Sequence, residues 1–146
     1  MTYAQLQVKE EAVGYDDAAD LDRAWAAGFF DGEGCTSILS VQRDRNKYLR
    51  MSVSQKTPEL LEKFQRIVGC GKIYAAKKRE IHNWNCYVET DCDHVLETLW
   101  PYLGDVKKAQ ALEVISTVRK HREIQKMPPK SGRKGSNQFA AQSARV

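Results

Sequence analysis

The chain of 146 residues has no apolar run near the roughly 18 residues that a membrane-spanning helix requires. Its first residues lack the cationic start and apolar centre of a secretory signal. Its four cysteines, Cys35, Cys70, Cys86 and Cys92, form no C-x-x-C pair, so neither a zinc motif nor a redox motif is indicated. We therefore expect a soluble, unsecreted protein that keeps these cysteines reduced in its core.

Charge is distributed unevenly along the chain. Residues 1–34 hold 2 basic and 8 acidic side chains, whereas residues 35–146 hold 21 basic and 11 acidic ones. The formal net charge of +4 therefore conceals a longer part with a net charge of +10. This part suits a polyanionic partner, because lysine and arginine displace condensed counterions from phosphates.

Apolar periodicity and turn residues predict the order α-β-β-α-β-β-α-α. The predicted helices span residues 21–33, 58–68, 91–99 and 106–124, and the predicted strands span residues 35–42, 48–55, 72–77 and 84–90. The candidate helix caps are Asp20 or Asp22, Thr57 and Asp91, and Gly69 or Gly71 ends the second helix. This order predicts an α+β domain over residues 20–125, with a four-stranded antiparallel sheet backed by helices. Residues 1–19 are a predicted flexible leader, and residues 126–146 a predicted flexible basic tail that either clamps phosphates or is simply solvated.

Apolar residues also indicate which surfaces should be buried. In the strands, the residues expected to face the core are Leu49, Met51, Val53, Trp84, Cys86 and Val88. In the helices, the expected apolar stripes are Leu21, Trp25 and Phe29, then Leu60, Leu61, Phe64 and Val68, then Ala109, Leu112, Ile115 and Val118. The first strand is ambiguous, because Ile38 points to one face while Leu39 and Val41 point to the other.

The helix over residues 21–33 carries a face of small residues that leads into two carboxylates. Ala24, Gly28 and Gly32 share this face because they are spaced four residues apart. Glycine costs about 1 kcal/mol relative to alanine inside a helix, and Asp31 and Glu33 face the negative end of the helix dipole. Such violations of local preference tend to occur at functional sites. A plainer interpretation is a tight crossing of two helices beside a solvated Glu33.

Residues 26–34, with the sequence AAGFFDGEG, resemble the nine-residue signature of the LAGLIDADG homing endonucleases. Weaker resemblance to the family continues nearly to Ile124. The resemblance implies that motif helices pack together across an interface between two subunits or two pseudo-symmetric halves. Because the motif occurs once, we expect a C2 homodimer whose interface contains the small residues of the motif helix. These residues are Ala24, Ala27, Gly28 and Gly32.

The resemblance also implies a shared metal site at the ends of the two motif helices. Glu33 fits the metal-binding carboxylate, with help from the backbone carbonyl of Gly32, and the expected ion is Mg²⁺ or Mn²⁺ in its place. Many family members have aspartate where this chain has Glu33, so the carboxylate reaches further by one methylene. Asp31 is expected to fix the helix end through hydrogen bonds and not to bind metal.

Two further catalytic residues follow from position in the family pattern. Gln55, at the end of the second strand, resembles a polar residue that lines the active site and would orient solvent. Lys107 or Lys108 resembles the active-site lysine that stabilises phosphate charge, and Lys107 is favoured.

The predicted sheet and its basic hairpin tips form the expected DNA surface, with strand residues reading base edges and tips contacting phosphates. The family pattern turns Ser37, Leu39 and Val41 outward. The predicted DNA-binding residues are these three together with Arg43, Arg45, Lys47, Tyr48, Arg50, Ser52, Ser54, Tyr74, Lys77, Lys78, Arg79, Asn83, Asn85, Tyr87, Lys108, Lys130, Arg133 and Lys134. Polar outward residues of a sheet are often only solvated, and this alternative remains open.

Taken together, these features predict a Mg²⁺-dependent endonuclease that cuts a pseudo-palindromic double-stranded DNA target, where the family leaves 3′ overhangs. The expected location is the cytoplasm or nucleoid of a bacterium or phage-infected cell, or an organelle. One alternative is a binding protein on the same scaffold, either a maturase acting on its own intron RNA or an inactive DNA-binding regulator. Another is an ordinary dimeric α+β protein with no affinity for DNA.

Overall fold

A computed structural model describes residues 17–43 and 45–128, and within them the predicted order of helices and strands is confirmed. The helices are α1 (Asp17–Glu33), α2 (Glu59–Val68), α3 (Glu89–Leu99) and α4 (Asp105–Lys126), with a 3₁₀ turn at Trp100–Tyr102. The strands are β1 (Gly34–Val41), β2 (Asn46–Gln55), β3 (Lys72–Ala76) and β4 (Ile81–Cys86). No helix within these ranges is long and apolar enough to cross a membrane.

The four strands form one antiparallel sheet in the order β1-β2-β4-β3. The central strands β2 and β4 pair Met51 with Cys86 and Val53 with Trp84, so these side chains share one face. All four are buried, which confirms the inward face predicted from their alternation. The helices pack on this face, and the resulting α+β architecture is the predicted one.

Aromatic rings hold the motif helix against the sheet. Phe30 of α1 stacks on Phe64 of α2, with ring centroids 6.2 Å apart. Phe64 in turn meets the ring of Trp84 edge-on at 4.9 Å. All three side chains are fully buried, and burying such a side chain contributes about 1.5–3 kcal/mol. The C-terminal half of α1 is therefore fixed relative to β4.

The start of α1 differs from the prediction. The helix begins at Asp17, so residues 17–19 belong to it and not to a leader, and neither Asp20 nor Asp22 is its cap. Asp20 is instead buried inside the helix, where it accepts a hydrogen bond from the hydroxyl of Tyr102 at 2.8 Å and pairs with Arg23. A contact with a residue 82 positions away could not be read from local sequence.

Two other predicted caps are also wrong. Helix α2 has Pro58 as its N-cap residue and no side-chain cap, while the hydroxyl of Thr57 hydrogen-bonds to the carboxylate of Glu59. Helix α3 begins two residues before Asp91, because the chain leaves the sheet earlier than predicted and Val88 becomes the N-cap. The left-handed conformation of Gly69, with φ of 76°, ends α2 as predicted.

Several apolar residues lie outside the core that the sequence predicted. Four of them, at the margin of the predicted apolar surface, are exposed: Leu21, Leu60, Val88 and Ala109. Cys35 is exposed for another reason, because the alternation of β1 places it opposite Ser52 on the outer face of the sheet. On α4 the buried positions are Ala111, Val114 and Val118, with Leu112 and Ile115 partly buried beside them. The stripe of α4 is therefore rotated slightly from the predicted one.

Candidate active site and nucleic-acid interface

The end of α1 presents a carboxylate with no protein partner. Glu33 is exposed, and no described residue donates a hydrogen bond to it or forms an ion pair with it. Gly32, the residue before it, is exposed as well. The last carbonyl groups of a helix have no intrahelical donors, so several oxygen ligands are available at this point. Such a set of oxygen atoms suits a hard divalent cation.

Asp31, the other acid of the motif, is engaged by the protein. Both oxygens of its carboxylate lie near the backbone N–H of Gly104, at 3.0 and 2.9 Å. Gly104 is the N-cap residue of α4. A side chain of α1 therefore accepts a hydrogen bond from a backbone N–H at the start of a second helix. The positive end of the α4 dipole offsets the unfavourable position of Asp31 at the end of α1. This geometry gives Asp31 a structural role.

Lys107 reaches the same helix end from the first turn of α4. Its ammonium group donates a hydrogen bond to the backbone carbonyl of Gly34, the residue that follows Glu33. The adjacent Lys108 takes another direction and places its ammonium group 5.4 Å from the centre of the Trp100 ring. Of the two candidate lysines, the structure therefore brings Lys107 to the motif.

Gln55 lies close to the motif along the sheet. The register pairs Gly34 with Val53, and Gln55 follows two residues later, about 7 Å further along the strand. It is partly buried at the end of β2, opposite His82 of β4. No hydrogen bond joins Gln55 to Glu33 or Lys107 within the described chain. Gln55 is thus beside the catalytic candidates but not in contact with them.

The small-residue face of α1 is open in the single chain. Beyond the local backbone of α1, a Cβ atom added to Gly28 or to Gly32 would meet no heavy atom of the described residues within 4 Å. Both glycines are exposed, and Ala24 on the same face is partly exposed. Nothing in the described fold of one chain therefore requires glycine at these two positions. Their small size is explained only if something outside this fold comes close to the helix.

Ala27 does not belong to this open face, which corrects the predicted interface. Its side chain is fully buried in the core of its own chain, because it lies beside Ala26 on the side of α1 that faces the other helices. Packing within the chain also requires glycine at position 34, since an added Cβ would lie 2.3 Å from the ring of Phe30. Some small residues of the motif therefore serve packing within the chain, whereas Gly28 and Gly32 leave the outer face of α1 open.

The register of β1 resolves the ambiguity of the first strand. Ser37 is paired with Arg50, and the Arg50 guanidinium donates to the Ser37 hydroxyl at 3.3 Å. Leu39 is paired with Tyr48 on the same face. Residues opposite each other in an antiparallel pair point to the same side, so Ser37, Leu39 and Val41 share the face away from the helices, as predicted.

The same face continues across the other strands. Ser52 pairs with Asn85 and Ser54 with Asn83, and the Ser54 hydroxyl donates to the side-chain carbonyl of Asn83. On β3, Tyr74 lies opposite Asn83 and is exposed. The result is a polar surface of hydroxyls, amides and one guanidinium that has the donors and acceptors needed to contact base edges.

Sequence reasoning missed a basic residue of this surface. Lys72, the first residue of β3, is paired with Asn85 and is exposed on the outer face. Its position depends on the pairing of β3 with β4, a register that the short strand sequence alone does not fix. The alternation within β3 was the one available signal, because Lys72 and Tyr74 share a face.

Both hairpin tips carry exposed basic side chains. Arg43 and Arg45 lie at the first tip, and the second tip contains Lys77, Lys78 and Arg79. Arg45 has a positive φ of 54°, a conformation that is uncommon outside glycine. Asp44, between the two arginines of the first tip, lies outside the described residues.

Helix α4 holds the first tip in place. His121 contacts the backbone carbonyl of Arg45 through Nε2 at 2.8 Å, and the side-chain amide of Gln125 donates to the same oxygen at 2.7 Å. These contacts span 76 and 80 residues of sequence, which is why no local pattern indicated them. They fix the backbone of Arg45 against the last turns of α4.

Three predicted contact residues differ from the rest of the predicted DNA surface. Lys47 is paired with Ser40, so the register turns it to the helix side of the sheet. Tyr87 is exposed but lies beyond the end of β4. Lys108 lies over an aromatic ring, as described above. Tyr48 keeps the outer-face position opposite Leu39 and also lines a pocket with Arg122 of α4. The remaining tail residues assigned to DNA, Lys130, Arg133 and Lys134, lie outside the described residues.

Comparison with known proteins adds an independent finding. Residues 26–118 match the model of a protein family described as LAGLIDADG endonuclease. The DNA endonuclease I-CvuI of Chlorella vulgaris is 35% identical over 105 residues, which cover 66% of this chain and 63% of that protein. The intron-encoded DNA endonuclease ai2b of Dictyostelium discoideum is 42% identical over 59 residues, or 40% of this chain and 22% of that protein. The chain thus spans less than two thirds of either curated relative.

Solved structures show the same fold. The crystal structure of the homing endonuclease I-CvuI in complex with its target in the presence of Ca superposes with a TM-score of 0.62 at 29% identity. That match covers 73% of this chain and 71% of I-CvuI. An archaeal intron-encoded homing endonuclease, I-Vdi141I, complexed with DNA, gives a TM-score of 0.58 at 23% identity, over 79% of this chain and 89% of that one. The match to I-Vdi141I supports the fold alone.

Proposed function

The chain belongs to the LAGLIDADG endonuclease family, and from this premise we propose that it is a homing endonuclease that hydrolyses both strands of a specific DNA target as a C2 homodimer. The observation that carries the proposal is the convergence at the end of α1. An unpartnered carboxylate on Glu33, the ammonium group of Lys107 and a bare helix face meet there. Among the described residues of one chain, the Glu33 carboxylate and the bare helix face have no partner, and Lys107 lies at the residue that follows Glu33.

The open face of α1 supports assembly of two chains. Gly28 and Gly32 allow another backbone to approach closely, because no side chain of the described residues occupies the space next to them. A second copy of α1, related by a two-fold axis along this face, would bring two copies of Glu33 together. A larger side chain at either glycine would hold the two carboxylates apart.

The donor set at this point fits a divalent cation. Carboxylate and backbone carbonyl oxygens are hard ligands of the kind that Mg²⁺ prefers, and neither histidine nor thiol is needed. Glu33 and the Gly32 carbonyl of each subunit would hold Mg²⁺, with Mn²⁺ as a substitute. When bound, the ion supplies an activated water and neutralises charge on the phosphate.

The chain's own residues contribute position and charge. Lys107 is held at the carbonyl of Gly34, the residue that follows Glu33, and from there its ammonium group can stabilise negative charge on a phosphate. Gln55 at the end of β2 can hydrogen-bond to solvent or phosphate next to it. Asp31 joins the end of α1 to the start of α4 through its hydrogen bonds and thereby positions Glu33 relative to Lys107.

The polar outer face of the sheet supports recognition of DNA. A twisted antiparallel sheet can lie in the major groove, where Arg50, Asn83 and Asn85 would contact base edges. Arginine is suited to guanine and asparagine to adenine, whereas the exposed tips would contact phosphates on either side. The basic net charge of residues 35–146 suits this orientation.

The decisive variant is Glu33→Gln, which keeps the size of the side chain and removes its charge. We expect it to bind the target with near wild-type affinity and to lose Mg²⁺-dependent cleavage, measured on a DNA fragment selected from a randomised library. The matched control is Glu113→Gln on the exposed side of α4, which should cut normally. Persistent cutting by a clean preparation of Glu33→Gln would show that the catalytic assignment is wrong.

The same experiment separates the competing binding functions. A DNA-binding regulator or an RNA-splicing maturase on this scaffold would bind nucleic acid without cutting DNA in the presence of Mg²⁺. The test substrate is the uninterrupted insertion locus, which a homing endonuclease should cleave. Wild-type protein that binds this locus but leaves it intact would favour the binding functions.

A further inference from the structure

A second group of chemically active side chains lies where three segments meet away from the motif. Cys70 is in the loop between α2 and β3, Cys86 ends β4, and Asp91 is in the first turn of α3. The two Sγ atoms and a carboxylate oxygen of Asp91 all lie within 4.8 Å of one another. A fourth donor is close, since the Sγ atoms of Cys86 and Cys92 are 3.5 Å apart. None of these residues was singled out for chemistry above.

The backbone holds Cys70 firmly in this position. The glycines on both sides of it have positive φ angles, 76° at Gly69 and 84° at Gly71, a conformation that glycine adopts at little cost. The indole N–H of Trp84 donates to the carbonyl of Cys70 at 2.9 Å. A Cβ at Gly71 would lie 2.3 Å from that indole ring. The loop therefore packs onto Trp84. The Cys70 thiol lies near the backbone carbonyl oxygens of Val68 and Asp91, at 3.6 and 3.7 Å, between the end of α2 and the first turn of α3.

The described residues supply no positive partner to this group. Its charged member is Asp91, because protonated thiols are neutral. Within the described chain, the carboxylate of Asp91 has neither a hydrogen-bond donor nor an ion-pair partner, although the residue is half-buried. A bound cation would supply the positive charge that balances this carboxylate and the thiolates formed when the metal displaces their protons.

We propose that Cys70, Cys86 and Asp91 bind a structural zinc ion, with the Cys92 thiol as the nearest donor for the fourth position. Zinc accepts thiolate and carboxylate ligands in a tetrahedron, and Zn–S bonds of about 2.3 Å place sulfur atoms about 3.8 Å apart. The 3.5 Å between the Sγ atoms of Cys86 and Cys92 is close to this value, and the ligand atoms of Cys70, Cys86 and Asp91 lie within 4.8 Å of one another, so side-chain rotations can complete the site. The ion joins the end of β4 to α3 and to the loop after α2.

The spacing of the ligands explains why no zinc motif is recognisable in the sequence. Cys70 and Cys86 are 16 positions apart, with no C-x-x-C pair, and the third ligand is an aspartate. The three residues come together only through the pairing of β3 with β4 and the turn into α3. The proposal does not depend on the nuclease function, because no residue of the α1 site takes part.

The test is the metal content of the full-length protein, purified under reducing conditions with zinc and then dialysed. We expect about one zinc per chain by mass spectrometry of the metal, and Co²⁺ substitution should give thiolate charge-transfer bands and the intense visible bands of a tetrahedral site. Cys70→Ser and Asp91→Asn should each lower zinc retention at least tenfold. Cys35→Ser is the matched control and should retain zinc, because Cys35 is exposed on β1.

Folding of the variants is checked by circular dichroism, and Asp91→Asn keeps the shape of the side chain if a cysteine variant fails to fold. Zinc that is lost on dialysis of the wild type would overturn the proposal. So would zinc content that is unchanged in a folded Asp91→Asn or Cys70→Ser variant, or a Co²⁺ spectrum without thiolate bands.

Discussion

Substitution of Gly28 by leucine should have opposite effects on the single chain and on the dimer. Among the described residues of one chain the new side chain enters open space, since no heavy atom beyond the local backbone of α1 lies within 4 Å of the added Cβ. Leucine also favours the helix over glycine by about 0.8–1 kcal/mol. If the chain acted alone, Gly28→Leu would therefore raise its melting temperature by several degrees.

In the proposed dimer the same side chain is forced into the crossing of two α1 helices. Overpacking of a close contact costs about 1–3 kcal/mol, and the two-fold axis applies this cost twice in each dimer. The total of about 2–6 kcal/mol would raise the dissociation constant roughly 30-fold to 10⁴-fold. The gain in helix propensity does not offset this loss of association free energy, because the gain is the same in the folded monomer and in the dimer.

Sedimentation velocity over a range of concentrations measures the dissociation constant, and thermal unfolding measures stability at a concentration where both proteins are monomeric. The matched control is Ala109→Leu, which adds comparable bulk at an exposed position of α4 and should leave association unchanged. Association of Gly28→Leu that matches the wild type would refute the assignment of the open face to an interface. A wild-type chain that stays monomeric at all concentrations, with and without target DNA, would do the same.

Two further predictions concern stability and protonation. Asp31→Ala should destabilise the chain by about 1–2 kcal/mol in urea unfolding, because the N–H of Gly104 loses its acceptor, whereas Asp31→Asn keeps an acceptor and should cost less. Equal unfolding midpoints for the two variants would contradict the capping role. The hydrogen bond from Arg122 holds the pKa of Glu89 below its ordinary value of 4.5, so this surface pair stabilises the fold near neutral pH and is lost as the pH falls through the lowered pKa. Arg122→Gln should raise the pKa of Glu89 in a carboxyl-carbon NMR titration, and an unchanged midpoint would contradict the assigned cause.

Local pattern was sufficient for most of the architecture. The alternation of Met51 and Val53, and of Trp84 and Cys86, identified the buried face of the sheet, because each of these side chains meets the core. Residues at the margins were predicted less well. Leu21 is 71% exposed and Val88 is 52% exposed, since an apolar residue at the end of an element has no neighbour to cover it. The helix caps failed for a related reason, as Asp20 and Thr57 found partners other than the backbone N–H groups of their own helices.

Contacts that join distant parts of the chain were beyond sequence reasoning. The support of Arg45 by His121 and the arrangement of Cys70 near Cys86 both depend on how whole elements pack. Lys107 was favoured over Lys108 by its place in a family pattern, and only the fold supplies a physical reason, which is its reach to the carbonyl beside Glu33. The residue types were visible in the sequence, but their distances were not.

Two features of α1 are locally unfavourable, the glycines inside the helix and the carboxylates at its C-terminal end. The described part of a single chain compensates only for the carboxylate of Asp31. The cost of Asp31 at the end of α1 is offset internally, because its carboxylate caps α4. The glycines at positions 28 and 32 and the carboxylate of Glu33 have no such compensation among the described residues. Since violations of local preference tend to occur at functional sites, we infer that their compensation comes from outside the described residues. In the proposed dimer, a second copy of the helix would explain the glycines and a shared cation would explain Glu33, so one assembly would explain both features.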